Sequence, residues 1–432
     1  MLAAGNGRRQ DRRRRRQSVA ISGTGPLNPP TGDVRRRLAA LWLVVFVDLL
    51  GFGVLIPLVP FYAVKLGLSP RWVTFVIALH ALFQFVGAPI LGRISDRMGR
   101  RPVLMISMLG HAAAYFLLGF ADSIAVLVLS RMLSGFTSGN LATAYAYVAD
   151  VCPPEKRAAG LARVSSAFAL GYALGPLLGG LLAGDGTPVA ADLHRPAFMA
   201  AILSLLSFAA IVFLLPETHH PSQAPHGTAV RMQTRTEIIR RDTALLLMLV
   251  LSLTVFVCAA MRESLLALWA HDKHHFDTHS ITQLFTINGL GVAAMQFFAT
   301  GMVIQRLGEL RTLRAGIVCY GVGWLILVLA GGFGWLTVGI LCGSVATALF
   351  GTSIQTLVSS RAAGNTRGTV MGIYQSSSSL ARFVGAAFSG SLYDLAGYDA
   401  PYVFGAMMML PALLLTVWIV RSLRRSTACE TA

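Results

Sequence analysis

Charged residues are scarce in this 432-residue sequence, at 13% of the chain, against about 25% in an average soluble domain. Uncharged polar residues do not replace them, because 55% of the residues are hydrophobic and the mean hydropathy is +0.64. A soluble protein of this length would still need a charged exterior. The composition therefore excludes an ordinary water-soluble enzyme and predicts that lipid covers most of the surface.

Cysteine and acidic residues are also few. The five cysteines lack the spacing of disulfide frameworks or zinc sites, and no phosphate-binding loop of the G-x-x-x-x-G-K-[ST] type occurs. We therefore expect no metal, no cofactor and no direct drive by ATP. The 19 acidic residues leave a net charge of +17. The basic residues lie in short segments between long apolar runs, however, and this distribution does not favour a nucleic-acid partner.

Long apolar runs make up most of the sequence. A membrane-spanning helix needs about 20 mainly apolar residues, since lipid offers no partner to an unpaired backbone group. Twelve runs meet this requirement, so the sequence predicts an all-α integral membrane protein. We place the spans at 38–62, 72–92, 102–121, 124–149, 161–183, 197–215, 243–269, 281–303, 313–332, 334–358, 369–395 and 400–420.

The longest polar interruption within this array lies between the sixth and seventh spans, over residues 216–242. We expect a duplicated six-helix unit, with an N-terminal half over 38–215 and a C-terminal half over 243–421. The interruption is then a cytoplasmic linker between the halves. Residues 1–37 and 422–432 are predicted to be cytoplasmic tails.

The basic residues also predict the orientation, since short basic loops stay on the cytoplasmic side of a membrane. The termini and the loops after even-numbered spans hold most of them, whereas the opposite side holds Lys65, Arg71, Arg195 and Lys273. Both termini are therefore predicted to be cytoplasmic. The first 37 residues have no apolar core, so they do not read as a cleavable signal peptide. They serve either as a solvated orientation signal or as a contact for anionic lipid.

The loop after the second span carries an ordered signature. Its glycines permit a tight turn, its aspartate can cap a helix, and its arginines crowd the predicted cytoplasmic face. The positions are Gly92, Asp96, Arg97, Gly99, Arg100 and Arg101. Their spacing resembles the loop motif G-x-L-a-D-r-x-G-r-k of the major facilitator superfamily at nearly every position.

Three further segments strengthen this resemblance. The stretch from Leu50 to Pro60 is similar to the l-g-x-g-x-x-x-P-v-x-P pattern of twelve-helix drug:proton antiporters, and Arg131 and Gly135 fit that family's R-x-x-q-G element. The fifth span carries a segment that resembles the antiporter mark of the superfamily: Gly171, Gly175, Pro176, Gly179 and Gly180. The chain as a whole most resembles bacterial tetracycline-type efflux proteins. This resemblance implies two pseudo-symmetric six-helix halves around a central cavity.

The fifth span also has a physical interpretation of its own. Gly171, Gly175 and Gly179 recur every four residues, so they form one smooth helix face of the kind found at close helix contacts in membranes. Pro176 removes a backbone hydrogen bond and should bend the helix. The face is either a sliding surface between the halves or a static packing surface.

Ionisable residues inside the predicted spans are functional hypotheses by default, because each costs at least ~2.5 kcal/mol in lipid. Away from the ends of the spans they are Asp48, Arg131, Arg262, Glu263 and Arg382. Asp48 lies about 15 Å from the cytoplasmic side, where a low dielectric favours the neutral acid. We interpret it as the proton carrier, loaded and unloaded as it moves relative to Arg131, and the family pattern implies an acidic residue at this place. The alternative is a fixed ion pair of Asp48 with Arg131 or Arg382.

The adjacent residues Arg262 and Glu263 lie nearer the outer surface. They cannot face the same way, because neighbouring helical residues point about 100° apart. The sequence leaves open whether Glu263 is a second protonation site or the partner of an arginine. Arg262 and Arg382 leave room for an anionic substrate.

Other polar and aromatic side chains within the spans are candidates for a substrate cavity. A lone helical histidine such as His80 or His111 is more often a packing residue, and a single amide is as often a hydrogen-bond partner between helices. The candidate set is Phe52, Ile56, His80, Gln84, Arg262, Asn288, Gln296, Gln355, Gln375 and Arg382.

Asp150 closes the fourth span and should lie near Arg97, Arg100 and Arg101. In the superfamily such a contact looks like a latch that favours the outward-facing state, and the resemblance implies that Asp96 caps a helix of the second half. We therefore predict that these residues and the loop glycines form a cytoplasmic gate rather than a substrate site.

The sequence thus predicts a proton-driven antiporter in a bacterial inner membrane that exports amphipathic small molecules or drugs, as a monomer in contact with lipid. A dedicated exporter or symporter of a single anionic metabolite, siderophore or lipid is the alternative, although the antiporter-type fifth span disfavours import. A multi-pass membrane enzyme is disfavoured, because the spans hold only two acids away from their ends and no metal-ligand spacing.

Overall fold

The computed structural model describes residues 31–153, 156–184, 192–218, 242–361 and 367–430. Throughout these ranges the regular secondary structure is helical, with no strand. The helices follow the predicted spans, and each span keeps its predicted number below. The all-α fold expected from the sequence is confirmed.

The N-terminal half contains six spans, two of which are divided into shorter helices. The first span comprises Thr31–Leu55 and Val59–Lys65, the second is Pro70–Met98, the third is Arg100–Gly119, the fourth comprises Ile124–Thr137 and Asn140–Val151, the fifth is Arg157–Ala183 and the sixth is His194–Leu214.

The C-terminal half repeats this arrangement. The seventh span is Thr243–His274, the eighth comprises Thr278–Ala294, a π-helical segment Met295–Ala299 and Thr300–Leu307, the ninth is Glu309–Leu329, the tenth is Phe333–Arg361, the eleventh is Arg367–Ala396 and the twelfth is Ala400–Glu430.

Among the described residues, eleven of these spans are long and apolar enough to cross a membrane. The exception is the eleventh, which contains four consecutive serines, 376–379, and Arg382. It packs against the second and seventh spans, so part of its surface contacts protein instead of lipid. The chain is a multi-pass membrane protein.

The ends of the helices differ from the predicted boundaries of the tails. The first helix begins at Thr31, inside the predicted tail 1–37, and the last continues to Glu430, beyond residue 421. Residues 1–30 lie outside the described residues, as do 219–241 of the predicted linker.

Polar side chains just before several helices satisfy N–H groups that a helix start leaves unpaired. Asp242 accepts from the amides of Ala244 and Leu245 at the start of the seventh span. Asp277 accepts from the amide of Ser280 at 2.9 Å at the start of the eighth. These caps explain why the two helices begin where they do.

Two spans are interrupted within the bundle. The first breaks at residues 56–58, next to Pro57, as the prolines there predict. The fourth breaks at Ser138 and Gly139, which the sequence analysis does not anticipate. A side chain at position 139 would bring its Cβ within 2.7 Å of the Cα of Ala88, so the second span approaches the fourth closely at this break.

Within the N-terminal half the fifth span packs on the first through its glycines. A Cβ at Gly175 would lie 2.5 Å from the Cα of Gly53, and Gly171 and Gly179 also face backbone atoms of the first span. The fifth span remains helical through Pro176. This placement favours the static packing interpretation for those three glycines over a sliding surface between halves.

The two halves meet mainly along two pairs of spans, the second with the eleventh and the fifth with the eighth. Gly180 of the fifth span lies against the side chain of Thr282, and Gly289 lies against Ala173. We call the end of the bundle that carries the helix ends Thr31 and Glu430 the termini side, and the opposite end the far side.

Close contacts join the halves on the far side. Gly390 of the eleventh span lies against Thr74 of the second, and the amide of Arg71 donates to Asp394 at 3.2 Å. The Phe61 and His271 rings meet edge to face at 6.0 Å. Gly92 and Gly372 lie in the same two spans on the termini side. A Cβ added to either glycine would have no neighbouring atom within 4 Å. The halves are therefore packed more closely on the far side along this pair of spans.

Candidate transport site

A central cavity of about 300 Å³ lies between the halves. Its wall is formed by the first five spans together with the seventh and eleventh. Apolar side chains of the first span form much of one side. The predicted site residues that line it are Asp48, Phe52, Ile56, His80, Gln84, Arg131, Glu263, Gln375 and Arg382.

Asp48 is only 5% exposed and faces this cavity from the first span. Its Oδ1 lies 2.8 Å from Nδ1 of His111 on the third span. Its Oδ2 accepts from Nδ2 of Asn140 at 3.3 Å, from the first turn after the break in the fourth span. Among the described residues its partners are thus a histidine and an amide, and neither Arg131 nor Arg382 forms the predicted fixed ion pair with it.

His111 is bonded through both ring nitrogens and is 3% exposed. Its Nε2 lies 3.1 Å from Oγ of Ser138 at the break in the fourth span. The same hydroxyl lies 2.8 Å from the carbonyl oxygen of Ser134. A continuous chain of hydrogen bonds therefore runs from Asp48 through His111 to the interrupted backbone of the fourth span.

His80 occupies the neighbouring position on the second span. Its Nδ1 lies 3.2 Å from the hydroxyl of Ser134, and its ring stacks on Phe52 with a centroid separation of 5.2 Å. The two rings bring an apolar and a polar surface together on the cavity wall.

Gln84 connects the two halves through the cavity. Its Nε2 donates to the carbonyl oxygen of Ser138 at 3.4 Å, a group that the break in the fourth span leaves free of a helical partner. Its Oε1 accepts from Nη2 of Arg382 on the eleventh span at 3.0 Å. The break is thereby tied to the C-terminal half.

Glu263 makes a second connection between the halves. It accepts a hydrogen bond from the hydroxyl of Tyr172 on the fifth span. The sequence left open whether Glu263 is a protonation site or the partner of an arginine, and its hydrogen-bond partner here is a tyrosine.

The two cavity arginines have donors that no protein group uses. Arg131 is 4% exposed, donates to Oγ of Ser130 at 3.4 Å, and its Nε has no partner. The Nε of Arg382 is also buried without a partner. Neither arginine pairs with a carboxylate among the described residues, so both can offer positive charge to a ligand in the cavity.

Four predicted cavity residues lie elsewhere. Arg262 is buried inside the C-terminal half, with its Cζ 3.9 Å from a Cβ built on Gly343. Asn288 is bonded to Ser344 of the tenth span. The remaining two, Gln296 in the π-helical segment and Gln355, are exposed and outside the cavity lining.

Several lining residues are missing from the predicted set: His111, Ser138, Asn140, Tyr172 and Ser264. The glycines and serines around the break in the fourth span were a usable signal, because Ser-Gly-Asn in the middle of an apolar run is unfavourable for helix continuation. The other side chains carry no local pattern that distinguishes a cavity residue from a packing residue.

On the termini side the predicted gate residues cluster within the N-terminal half. Arg100 donates to Asp96 at 2.6 Å and to Asp150 at 3.0 Å. Glu217, at the end of the sixth span, accepts from the amides of Arg100 and Arg101 at 3.0 and 3.1 Å. Gly99 has a φ of 104°, which its lack of a Cβ permits. Arg97 is exposed at the same end.

Comparison with known proteins agrees with this arrangement. The family model described as Major Facilitator Superfamily matches residues 41–281 and 253–430. The tetracycline resistance protein, class G, of Vibrio anguillarum is 30% identical over 358 residues, which cover 82% of this chain and 89% of that protein. Multidrug resistance protein 2 of Bacillus subtilis (strain 168) is 26% identical over 388 residues, covering 87% and 93%.

A solved structure shares the fold. That of the human organic anion transporter MFSD10 covers 90% of this chain and 100% of that chain, with a TM-score of 0.68 and 24% identity. One explanation fits three findings. The family model matches nearly the whole chain, the helices form a bundle in two halves, and a cavity lies between the halves. The chain belongs to the major facilitator superfamily and is one of its multi-pass membrane transporters, with relatives that confer tetracycline and multidrug resistance.

Proposed function

We propose that this protein is a proton-coupled exporter of amphipathic small molecules, acting as a monomer in a bacterial inner membrane with both termini cytoplasmic. The observation that carries the proposal is the position of Asp48. It is a buried acid on the wall of the central cavity, within a bundle that also places Arg131 and Glu263 on that wall. The tetracycline- and multidrug-resistance relatives supply the class of substrate.

The character of the cavity wall supports an amphipathic substrate. Leu55, Val59 and Ile77 provide apolar surface, whereas Gln84 and Gln375 provide amide groups. A ligand that buries a hydrophobic body and keeps one polar edge matches both surfaces, as is usual for small-molecule sites.

Alternating access accounts for how the cavity is loaded and emptied. The close contacts on the far side, at Gly390 and at Asp394, correspond in this proposal to the state that is open toward the termini side. Substrate that binds from the termini side favours the other arrangement of the halves, and a proton that then binds at the Asp48 site from the far side returns them to the first. The hydrogen bonds of Arg100 to Asp96 and Asp150 stabilise the termini side of the N-terminal half during this movement.

The test is proton flux in sealed proteoliposomes that hold a pH-sensitive dye, with a panel of compounds that includes a tetracycline added outside. We expect substrate-triggered proton movement that is lost in Asp48→Asn, because the amide supplies neither an exchangeable acid proton nor the negative charge that attracts one to this site. Asp122→Asn is the matched control, since Asp122 is exposed in a loop. Transport by Asp48→Asn with normal proton dependence would show that the assignment of Asp48 is wrong.

The unpaired donors on Arg131 and Arg382 favour a second candidate function, transport of an organic anion. MFSD10, whose solved structure shares the fold, is a human organic anion transporter. The same proteoliposomes distinguish the candidates when the panel contains amphipathic anions and cations of matched size. Proton movement with anions alone, lost in Arg382→Gln, supports the second candidate, whereas movement with cations and neutral drugs supports the first. If folded protein moves protons with neither, both are wrong.

A further inference from the structure

Ser138 stands between two possible hydrogen-bond acceptors at the break in the fourth span. Its hydroxyl lies 3.1 Å from Nε2 of His111 and 2.8 Å from the carbonyl oxygen of Ser134. A hydroxyl carries one proton, so it can donate to only one of these groups at a time. Which one it chooses depends on whether Nε2 of His111 already carries a proton.

The protonation states of His111 follow from this geometry. When the ring is neutral with its proton on Nδ1, Nδ1 donates a hydrogen bond to Oδ1 of Asp48, and Nε2 accepts a hydrogen bond from the hydroxyl of Ser138. When one further proton from the cavity binds Nε2, that nitrogen becomes a donor to Oγ of Ser138. The hydroxyl then turns to the carbonyl oxygen of Ser134. Release of the Nε2 proton to the cavity reverses each step.

Asn140 decides where the added proton resides. Its Nδ2 donates to Oδ2 of Asp48, and an amide nitrogen cannot accept a proton in return. A proton on Oδ2 would lose this bond, whereas a carboxylate can accept from Asn140 and from the imidazolium at once. The arrangement therefore stabilises an ionised Asp48 paired with a charged His111.

We propose that His111 is the group that binds and releases the coupling proton, with Asp48 as its counter-ion, and that Ser138 converts its protonation into a change of hydrogen bonding at the break in the fourth span. The inference rests on the proposed function for its coupling to transport. It assigns to His111 a role that differs from packing, the usual role of a lone helical histidine.

The charges around His111 set the balance between its two forms. Tyr115 of the same span stacks on its ring at 5.8 Å. His80, Arg131 and Arg382 lie on the cavity wall from the second, fourth and eleventh spans. The sixth span has no titratable residue between 196 and 215. The two arginines oppose the imidazolium, whereas the adjacent carboxylate of Asp48 favours it.

The change at Ser138 has a direct route to the other half. The carbonyl oxygen of Ser138 accepts from Gln84, which accepts in turn from Arg382. A small shift of the break when the hydroxyl changes partner therefore alters the hydrogen bonds that hold the second and eleventh spans together at the cavity.

The first test observes the ring directly, by ¹⁵N NMR of histidine-labelled protein in lipid nanodiscs over a pH series. The His111 signal is identified by its loss in His111→Gln and by its shift in Asp48→Asn. We expect titration from the Nδ1-protonated neutral form to the imidazolium. We also expect the midpoint to fall in Asp48→Asn, because the counter-ion is gone. A ring that stays neutral across the pH range in which the protein transports would overturn the proposal.

The second test compares Ser138→Ala with Ser138→Thr in the proteoliposome assay. Removing the hydroxyl takes a hydrogen bond from both forms of His111, but the bond to the charged ring is the stronger, so we expect the pH midpoint of transport to move lower, by about one unit. Threonine keeps a hydroxyl and should leave the midpoint close to that of the wild type. Equal midpoints in all three proteins would contradict the role of Ser138.

The two proposals fail in different ways. Loss of proton coupling in Asp48→Asn but not in His111→Gln refutes this inference and leaves the proposed function intact. His279→Gln, at a histidine outside the cavity that pairs with Gln283, is the matched control for His111→Gln. If no compound moves protons, the proposed function is wrong, and the NMR titration still decides the state of His111, because it needs no substrate.

Discussion

Gly175 and Gly53 bring the backbones of the fifth and first spans into direct contact. A Cβ on Gly175 would lie 2.5 Å from the Cα of Gly53, a separation that real side chains do not tolerate. Because lipid supplies no hydrophobic force between helices, close packing of small residues is a main source of helix association in membranes. The glycine spacing of the fifth span is thus a requirement of packing at these positions.

Gly175→Ala is therefore expected to separate the two spans and to destabilise the protein by about 1 to 3 kcal/mol, as overpacking does in other cores. Thermal unfolding in detergent micelles measures the effect. Gly301→Ala is the control, since nothing lies within 4 Å of a Cβ at that helical position. It should be neutral or slightly stabilising. A Gly175→Ala protein that unfolds at the temperature of the wild type would contradict the packing role.

Single residues differ in how far the sequence could predict their positions. The place of Asp48 on the cavity wall could be predicted, because an acid in the middle of an apolar run is costly in lipid and is expected to face away from it. His111 could not, because its contact with Asp48 joins positions 63 residues apart and depends on how the third span is rotated. Gln296 and Gln355 lie outside the cavity that they were predicted to line, for a related reason. All faces of a membrane helix are mainly apolar, so the sequence pattern does not show which face meets the cavity.

At the scale of the element, Glu217 holds the start of the third span. Its two carboxylate oxygens accept from the amides of Arg100 and Arg101, which are among the free N–H groups of a helix start. An acid at this place also interacts favourably with the helix dipole. Glu217, just after the sixth span, thereby fixes the end of the loop that joins the second span to the third.

We expect Glu217→Ala to lower stability by about 1 to 2 kcal/mol, the usual loss on removing a helix cap. Thermal unfolding of the purified protein measures this change. Glu217→Gln retains one acceptor oxygen and should recover part of the loss, which separates capping from a general effect of the site. Equal stability of the alanine variant and the wild type would show that the cap contributes nothing.

The elements themselves were largely predictable from the sequence. Runs of about 20 apolar residues locate the spans, and Pro57 indicates the break in the first. The break at Ser138 and Gly139 was missed, because a run that is apolar on both sides of a Ser-Gly pair still counts as one span. The eleventh span is polar for a membrane helix, and its packing on the second and seventh spans explains how it can carry Arg382.

At the scale of the molecule, the two halves meet at the far side through the amide of Arg71 and the carboxylate of Asp394, 3.2 Å apart. The family resemblance predicts two halves and a cavity, and the family comparison confirms the superfamily. No sequence pattern could indicate at which end the halves pack more closely, because that depends on how the two halves are placed relative to each other, which no local pattern records.

Arg71→Cys combined with Asp394→Cys, in a protein whose five native cysteines are replaced, is expected to form a disulfide on oxidation, since the backbone amide of Arg71 lies 3.2 Å from the carboxylate of Asp394. The cross-link holds the far side shut, so transport should stop and return after reduction. Each single-cysteine variant should be unaffected by oxidant. Undiminished transport with the cross-link formed would mean that the far side need not open.

The π-helical segment Met295–Ala299 in the eighth span has a consequence for the register of the chain. Such a segment accommodates one residue more than a regular helix would, so every residue after it is turned by about 100° relative to an uninterrupted span. Gly301, Arg306 and Gly308, at the end of the eighth span, all follow it. Deleting one residue here would straighten the helix and rotate this entire end away from its present neighbours, so the loop after the eighth span depends on a single inserted residue for its direction.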